Sequence, residues 1–303
     1  LKKEYPTMEY VIGVDSGGTH IVAQALSQDG KIMEQSESGP GNILLNPEQT
    51  IQNLKDVIES LFLKQKRIDC KYILIGIAGI ETTGNSSEIS QLLTDYFKVT
   101  TYVISDAKLA LLNGLEGKDG TLIISGTGSV VYGRQNKEML RYGGWGNLLG
   151  DTGSAYKIVS ASMQLILKKH DLGFISSLED ILLNLLNASD VKEGVKNFYQ
   201  LDRKQVASIA VTIAKAADKG NLDAITIIKE QAMALSKEAL GLISRYQKPY
   251  PSKIAFSGSV LLNNDLFQKT LLNNLLSWYP NLQSITVSTN NSRGAIFWPI
   301  WNN

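Results

Sequence analysis

Cysteine is nearly missing from this sequence: among 303 residues there is one, Cys70. A single cysteine cannot form a disulfide within the chain or supply a cysteine-only metal or iron–sulfur site. Histidine is almost as scarce, and the two histidines lie too far apart for a zinc motif. The composition therefore predicts a protein of a reducing compartment, most simply the cytoplasm.

An excess of charge of either sign is also missing. The chain has 30 Lys+Arg and 29 Asp+Glu residues, which gives a formal net charge of +1. A balanced surface offers no overall field that attracts nucleic acid or an anionic membrane. We expect neither as a partner, and we expect any bound anion to be held by a local site.

Long apolar runs are missing as well. No run approaches the ~18 residues that a membrane-spanning helix needs. The start, L-K-K-E-Y-P-T-M, carries positive charge without an apolar segment behind it, so it does not predict a signal peptide. We interpret residues 1–7 as an extension before the first strand. The 43% apolar content is enough for one large domain or two ordinary ones.

One order of elements occurs twice in the chain. It is strand, glycine turn, strand, turn, strand, followed by alternating helices and strands. The first copy predicts strands at 9–15, 20–27, 31–36, 72–78 and 101–105, with helices at 47–66, at 86–97 and from Ala107. The second predicts strands at 121–125, 129–134, 139–142, 253–257 and 284–288, with helices throughout 151–247, at 264–277 and at 291–301. The repeat predicts two α/β domains with mixed sheets and a cleft between them, the second with a large helical insertion.

We place the domain boundary at the G-K-D-G turn, so that the domains span residues 8–117 and 118–303. The last helix, 291–301, is expected to be able to cross back onto the first domain.

The glycine turns lie in D-S-G-G-T (15–19) and S-G-T-G-S (125–129). Both join strand to strand, whereas the Walker loop and the dinucleotide fingerprint place their glycines between a strand and a helix. Tight hairpin turns would explain each alone. As a pair, one in each domain, they predict a polyphosphate held by free backbone N–H groups and hydroxyls. The predicted phosphate ligands are Ser16, Gly17, Gly18 and Thr19 (turn 1), and Gly126, Thr127 and Gly128 (turn 2).

Two aspartates follow or end predicted strands. Asp15 ends the first strand beside turn 1, where a carboxylate could hold Mg²⁺ directly or through water. Asp106 directly follows the strand 101–105, at the carboxyl end where open α/β sheets place their ligands. Asp106 is therefore a candidate base for a hydroxyl group. The alternative is that Asp106 only caps the next helix.

These motifs together resemble the sugar kinase/actin/Hsp70 superfamily. They are most similar to the N-acetylglucosamine kinase group and to the BadF/BadG/BcrA/BcrD-type ATPases. The resemblance covers essentially the whole chain, through both glycine turns, S-D-A (105–107), G-G-W-G (143–146), G-D-T-G-S-A-Y (150–156) and S-G-S-V (257–260). It implies two ribonuclease H-like (actin-like ATPase) domains with mixed five-stranded sheets around a central cleft, ATP and Mg²⁺ as cofactors, and a homodimer.

The resemblance also implies roles for further residues. Asp106 would be the catalytic base, and the sugar would be bound by Asn42, Gly79, Asp106, Gly144, Trp145 and Asp151. Gly258 and Ser259 would lie on the adenosine side. Turns or a helix cap explain several of these positions equally well. The small polar residue of the family in the loop after the fourth strand is Ala78 here, which leaves the identity of the sugar open.

We therefore expect an ATP-dependent amino-sugar kinase that phosphorylates the 6-hydroxyl of N-acetylglucosamine or a close relative, glucosamine or N-acetylmuramic acid. The first alternative is an ATPase that activates a partner enzyme, but such activators hold an iron–sulfur cluster between subunits with more cysteines than this chain has. The others are a chaperone-like nucleotide-binding protein and a kinase-like protein that binds sugar without turnover.

Overall fold

The computed structural model describes residues 9–302. The extension predicted at 1–7, and residue 8 as the start of the first domain, lie outside the described residues. Contacts divide the chain into two compact units. One comprises the described residues up to Lys118 together with the C-terminal segment from Thr289, and the other comprises Asp119–Ser288.

The first unit is built on a mixed five-stranded sheet of order β3-β2-β1-β4-β5. Its strands are β1 Tyr10–Ser16, β2 Ile21–Ser27, β3 Ile32–Ser38, β4 Cys70–Ile77 and β5 Thr101–Ser105. Its helices are α1 Pro47–Phe62, α2 Ile80–Thr83, α3 Ser86–Phe97 and α4 Asp106–Leu115, with a short 3₁₀ helix at Arg67–Asp69. Strands β1 to β3 form an antiparallel meander, and β4 and β5 continue the sheet in parallel with β1.

The second unit repeats this plan with the order β10-β9-β6-β7-β8. Its strands are β6 Gly120–Ser125, β7 Ser129–Gln135, β8 Glu138–Tyr142, β9 Lys253–Ser257 and β10 Gln283–Thr286. Its helices are α5 Gly146–Leu149, α6 Ala155–Asp171, α7 Glu179–Leu185, α8 Val191–Phe198, α9 Arg203–Ser208, α10 Ala210–Asp218, α11 Leu222–Ile243, α12 Ser259–Asn263 and α13 Asp265–Trp278. The predicted fold class is confirmed in both the mixed five-stranded sheets and the helical insertion.

The two glycine turns are hairpins, as predicted. Turn 1 joins β1 to β2, with Ser16 paired to Ile21, and turn 2 joins β6 to β7, with Ser125 paired to Ser129. In each unit the first strand of the hairpin also pairs in parallel with a buried strand. Each turn therefore lies at the edge where the parallel strands end.

The C-terminal segment forms a 3₁₀ helix at Asn291–Phe297 and then α14 Trp298–Asn302, where a single helix is predicted. It packs on the sheet of the first unit. The Ser292 hydroxyl donates to Gln24 Oε1 at 2.6 Å, and the Tyr72 hydroxyl donates to the Ala295 carbonyl at 2.8 Å. A Cβ on Gly13 of β1 would collide with the carbonyl of Ser292, so glycine is needed for this close packing.

Each unit has its own apolar core. In the first, both faces of β1 and β4 are covered, so these strands are almost continuously apolar, as parallel strands buried on both faces are. In the second, α6, α10 and α11 bury an apolar stripe against the sheet and one another. Within the described part of the chain, no helix is both long and apolar enough to cross a membrane.

Candidate active site

The predicted site residues of the first unit meet at one edge of its sheet. Ser16, Ile77 and Ser105, the last residues of β1, β4 and β5, lie in one row of the parallel register. Asp15 precedes this row on β1, and Asp106 follows it on α4. This edge is the carboxyl end of the parallel strands, the position predicted for both carboxylates.

Asp106 does not cap α4. Ser105 is the N-cap residue, and its hydroxyl accepts a hydrogen bond from the Lys108 N–H at 3.3 Å. Asp106 is half-buried at the first helical position, where its Oδ1 accepts from the Ala107 N–H at 2.9 Å. The capping alternative was therefore wrong, because the residue before Asp106 fills that role.

Burial raises the pKa of Asp106 above its ordinary value, and the nearby Glu81 carboxylate raises it further, against the lowering effect of the Ala107 N–H. A carboxylate with a raised pKa takes up a proton more readily than an exposed one, which suits a general base. Glu81 lies on α2, a helix of four residues that the apolar pattern of the sequence does not predict.

Asp15 lies close enough to Asp106 for the two charges to interact. Burial raises the pKa of Asp15 to about 6; a hydrogen bond from Asn291 opposes this shift, and the Asp106 charge adds to it. Asn291 Nδ2 donates to Asp15 Oδ2 at 3.2 Å across 276 positions of sequence. A buried carboxylate beside a second one is a group that a divalent cation would stabilise.

The pKa of Asp15 leads to a prediction about the protein without ligands. The carboxyl group has a pKa of about 6 in the folded protein and 3.8 ordinarily, so protonation favours the folded state. This stabilisation is fully present below about pH 4 and is lost as the pH rises through 6. As the pH rises from 4 to 6, we expect the melting temperature of Asp15→Asn, measured by calorimetry, to increase relative to that of the wild type. A constant difference across this range would contradict the raised pKa.

Turn 1 uses part of its polar groups internally. The Ser16 hydroxyl is buried and donates to the Gly41 carbonyl at 2.8 Å, and the Gly17 N–H donates to the His20 carbonyl at 3.1 Å. The expectation that these N–H groups are free is therefore wrong for Gly17. Within residues 9–302 the structure shows no partner for the N–H groups of Gly18 and Thr19, which are exposed.

Asn42 and Gly79 lie beside turn 1. Asn42 bridges to Ala78 after the end of β4, and its Oδ1 accepts from the Leu44 N–H at 3.0 Å. Gly79 has φ of +83°, and a Cβ there would lie 2.7 Å from Asn42 Oδ1. Glycine at position 79 thus lets the loop after β4 approach the Asn42 amide, and the structure brings these two predicted sugar ligands together.

Turn 2 also uses part of its polar groups internally. The Gly126 N–H donates to the Gly128 carbonyl at 2.9 Å, so it too is not free, whereas Thr127 is exposed at the tip. None of the glycines in the two turns has a positive φ. The turns therefore do not depend on a positive φ that favours glycine. At Gly128 a Cβ would meet the side chains of Arg203 and Asp151, whereas at Gly18 it would meet nothing within 4 Å and glycine leaves open space beside the backbone.

Gly258 and Ser259 lie against turn 2. Gly258 has φ of +92°, and a Cβ there would collide with the backbone of Ser125, the last residue of β6. The Ser259 N atom lies 3.6 Å from where a Cβ on Gly126 would be. Glycine at position 258 is therefore required by the protein's own strand, a reason that the sequence pattern does not reveal.

A cavity of about 320 Å³ opens beside Ser259. Its lining comes from α6, α9, α10 and α12, and it combines small and branched apolar residues with polar ones. The lining includes Ala155, Ala207, Ala210, Ala214, Ser259 and Asn263. The sequence hypothesis missed the alanines, although their spacing on α9 and α10 is a visible stripe of small residues.

The G-G-W-G segment, residues 143–146, is a loop with three glycines at positive φ. The Arg141 guanidinium donates to the carbonyls of Gly143 and Gly144 and lies over the Trp145 ring, 4.5 Å from its centroid. The indole is 68% exposed, so one face remains open to solvent. An amphipathic ring fixed in this way is a suitable platform for a ligand with an apolar face.

Asp151 lies behind this loop and is buried, with φ of +59°. It does not cap α6, because Ser154 accepts the Lys157 N–H. Its Oδ2 instead accepts from Arg203 Nη2 at 2.7 Å. Burial raises the pKa of the neighbouring Glu238, and the Asp151 charge adds to this shift. The sequence hypothesis missed Arg203 and Glu238, which carry no motif.

Among the described residues, no group of three His, Cys, Asp or Glu side chains could hold a metal ion. Mg²⁺ in phosphoryl-transfer sites usually takes one or two carboxylates and completes its shell with water and phosphate oxygens. The partly buried carboxylate of Asp15 fits that mode of binding.

Two mixed sheets, each with a glycine hairpin at the carboxyl end of its parallel strands, define the two-domain fold of the actin-like ATPases and sugar kinases. The model of the BadF/BadG/BcrA/BcrD ATPase family matches residues 12–290. The chain belongs to this family, as the motifs predicted.

Two named relatives match along almost the whole chain. An N-acetylmuramic acid/N-acetylglucosamine kinase of Clostridium acetobutylicum is 30% identical, over 95% of this chain and 97% of that protein. An N-acetyl-D-glucosamine kinase of Dictyostelium discoideum is 25% identical, over 95% and 96%.

Solved structures show the same fold. A proposed N-acetylglucosamine kinase of Chromobacterium violaceum superposes with a TM-score of 0.70 at 21% identity, over 96% of this chain and 99% of that one. A ROK family glucokinase of Streptomyces griseus, in complex with glucose and AMPPNP, superposes with a TM-score of 0.57 at 16% identity, over 95% and 97%.

Proposed function

We propose that the protein is an ATP-dependent amino-sugar kinase. It transfers the γ-phosphoryl group of MgATP to the 6-hydroxyl of N-acetylglucosamine or a close relative, glucosamine or N-acetylmuramic acid. The observation that carries the proposal is Asp106, a half-buried carboxylate with a raised pKa that is not the cap of its helix. A protein that only binds nucleotide has no need of such a group.

Asp106 acts on the acceptor in this proposal. The hydroxyl oxygen attacks the γ-phosphorus, the bond from that phosphorus to the bridging oxygen breaks, and ADP leaves. Asp106 orients the hydroxyl and accepts its proton as the new P–O bond forms. Burial of the carboxylate supports this role, because it raises the affinity of Asp106 for that proton.

The exposed N–H groups at turn 1 and turn 2 support phosphate binding, since each turn presents backbone donors at a sheet edge. Asp15 would hold Mg²⁺, which neutralises phosphate charge when it is bound. The cavity beside Ser259 is the proposed adenosine side, and Gly258 is the residue before Ser259.

Amino sugars are proposed as substrates because both relatives carry names of amino-sugar kinases. The loop at Trp145 offers the aromatic face, and Asn42, Gly79 and Asp151 offer polar groups for the hydroxyls. Ala78 provides no hydroxyl group of its own. The particular sugar therefore has to be found by assay.

The deciding experiment measures ADP release from MgATP by the purified protein. The assay is run without sugar and then with N-acetylglucosamine, glucosamine, glucose, N-acetylmannosamine and N-acetylmuramic acid. Strong stimulation by one amino sugar is expected. Equal ADP release with and without every sugar would contradict the proposal and favour an ATPase that acts on a partner protein.

The adenosine cavity gives a prediction of its own. Ala214→Phe would fill part of the 320 Å³ cavity, so we expect KM for ATP to rise roughly 10–100-fold, which is about 1–3 kcal/mol of lost binding. KM for the sugar at saturating ATP should change little. Lys219→Phe is the matched control, because it adds the same ring at the exposed end of α10, outside the cavity. An unchanged KM for ATP in Ala214→Phe would place the nucleotide elsewhere.

A homodimer is also proposed. Leu172, Phe174 and Ile175 leave a cluster of apolar side chains exposed after α6, and such a cluster is typical of an interaction surface. Light scattering coupled to size-exclusion chromatography tests the proposal: a mass of one chain at micromolar concentration would contradict it. The single cysteine supports a cytoplasmic location.

A further inference from the structure

Arg203, the first residue of α9, contacts two parts of the proposed site at once. Its guanidinium donates to Asp151 Oδ2 and forms an ion pair of 2.7 Å. The same Nη2 lies against turn 2, where a Cβ on Gly128 would collide with it. A Cβ on Gly128 would also lie 2.9 Å from Asp151 Oδ2. Gly128, Asp151 and Arg203 thus form one contiguous cluster within the second unit.

The backbone of Arg203 is held in place by the cap of α9. Asp202 precedes it as the N-cap of α9, in a capping box with Gln205 that fixes the start of the helix. The side chain beyond is 45% exposed, whereas that of Asp151 is 4% exposed. The guanidinium therefore joins a fixed, buried carboxylate to a turn whose remaining surface is open.

We propose that Arg203 is a positioning residue that couples phosphate binding at turn 2 to sugar binding at Asp151. This inference rests on the proposed function. A guanidinium has five N–H donors in a planar fork, so it can keep its bond to Asp151 while it donates to a phosphate oxygen beside Gly128. Binding of either ligand then fixes the Arg203 side chain in the arrangement that the other one needs.

Asp151 becomes a better sugar ligand in that arrangement. Its Oδ2 is held by Arg203, which leaves Oδ1 to accept a sugar hydroxyl. Without nucleotide the exposed part of Arg203 has to be immobilised when the sugar binds, which costs side-chain entropy. With a phosphate on turn 2 that cost has already been met, so the sugar binds more tightly.

The test compares sugar affinity with and without Mg-AMPPNP. Isothermal titration calorimetry measures Kd for N-acetylglucosamine, glucosamine and N-acetylmuramic acid on the full chain. For the wild type we expect Kd of the sugar that binds to fall at least about fivefold when Mg-AMPPNP is present. For Arg203→Gln we expect a ratio close to one. Arg203→Lys, which keeps the charge but not the fork, should lie between them.

Lys204→Gln is the matched control, because it removes one positive charge from the next position of the same helix. We expect it to keep the wild-type ratio. By linkage, the sugar must change the affinity for AMPPNP by the same factor, which provides an internal check. If Arg203→Gln unfolds, which a strongly lowered melting temperature would show, the ratio of the two Kd values for Arg203→Lys tests the coupling instead.

The outcomes separate this inference from the proposed function. A wild-type ratio of one would overturn the coupling while sugar-stimulated ADP release still stood. An unchanged ratio in Arg203→Gln would do the same, and if that variant unfolds, an unchanged ratio in Arg203→Lys would. No binding of any of the three sugars, together with no stimulation of ADP release, would overturn both. A generally destabilising role of Arg203 would raise both Kd values and leave their ratio intact.

Discussion

Asparagine in place of Asp106 is expected to lower kcat for sugar phosphorylation by roughly 10²–10⁴-fold, the usual contribution of a general base. The side chain keeps its shape and loses its ability to accept a proton. Sugar affinity should change far less, because an amide still bonds to a hydroxyl. The melting temperature should not fall, since the replaced carboxylate is partly buried and its pKa is raised by burial.

Asp95→Asn is the control for Asp106→Asn. Asp95 is an exposed carboxylate near the end of α3, so its loss removes the same charge from the same unit without touching the sheet edge. We expect Asp95→Asn to keep the wild-type kcat. Steady-state kinetics and calorimetric sugar binding, measured on both variants, complete the comparison. A kcat close to the wild-type value in Asp106→Asn would contradict the proposed role of Asp106 as the general base.

Alanine in place of Gly258 is expected to destabilise the protein by about 2–6 kcal/mol. One part is the backbone conformation, with φ of +92° and ψ of 151°, which is essentially confined to glycine and costs a residue with a Cβ about 1–3 kcal/mol. The other part is the collision of the new Cβ with the Ser125 backbone, whose carbonyl carbon would lie 2.6 Å away, since overpacking costs about 1–3 kcal/mol. Urea unfolding measures the sum.

Gly220→Ala separates these two parts. Gly220 has φ of +87°, and a Cβ there would meet nothing within 4 Å. Its substitution should therefore show the conformational cost alone. The same collision displaces the end of β6, so Gly258→Ala should also raise KM for ATP, which Gly220→Ala should not. Equal losses of stability in the two variants would show that β6 yields freely to the new methyl group.

Local features of the fold were predictable from the sequence. The hairpins at both glycine turns, the helix at 86–97 and the position of Asp106 all follow from alternation, helical period and turn residues, which act between near neighbours. Boundaries shifted by a few residues; α1, for example, ends at Phe62 instead of residue 66. The burial of apolar side chains along the helix also ends there, because the next residue, Leu63, is exposed.

The partners of the site residues were not predictable. Asn291 reaches Asp15 across 276 positions, and Arg203 reaches Asp151 across 52. Such pairs form because the folded chain brings them together, and no spacing in the sequence records them. The need for glycine at position 258 could not be predicted for the same reason, because its neighbour Ser125 is far away in sequence.

The C-terminal segment has a consequence for how the protein is made. It packs on β1, and its Asn291 donates to Asp15, so the first unit combines its strands with a cover that is translated much later, 276 positions after Asp15 in the case of Asn291. On the ribosome, the sheet of that unit can form while the second unit is still being translated, but Asp15 cannot gain its amide partner until residue 291 has emerged. Nascent chains are therefore expected to carry Asp15 without this amide partner until that segment has been translated.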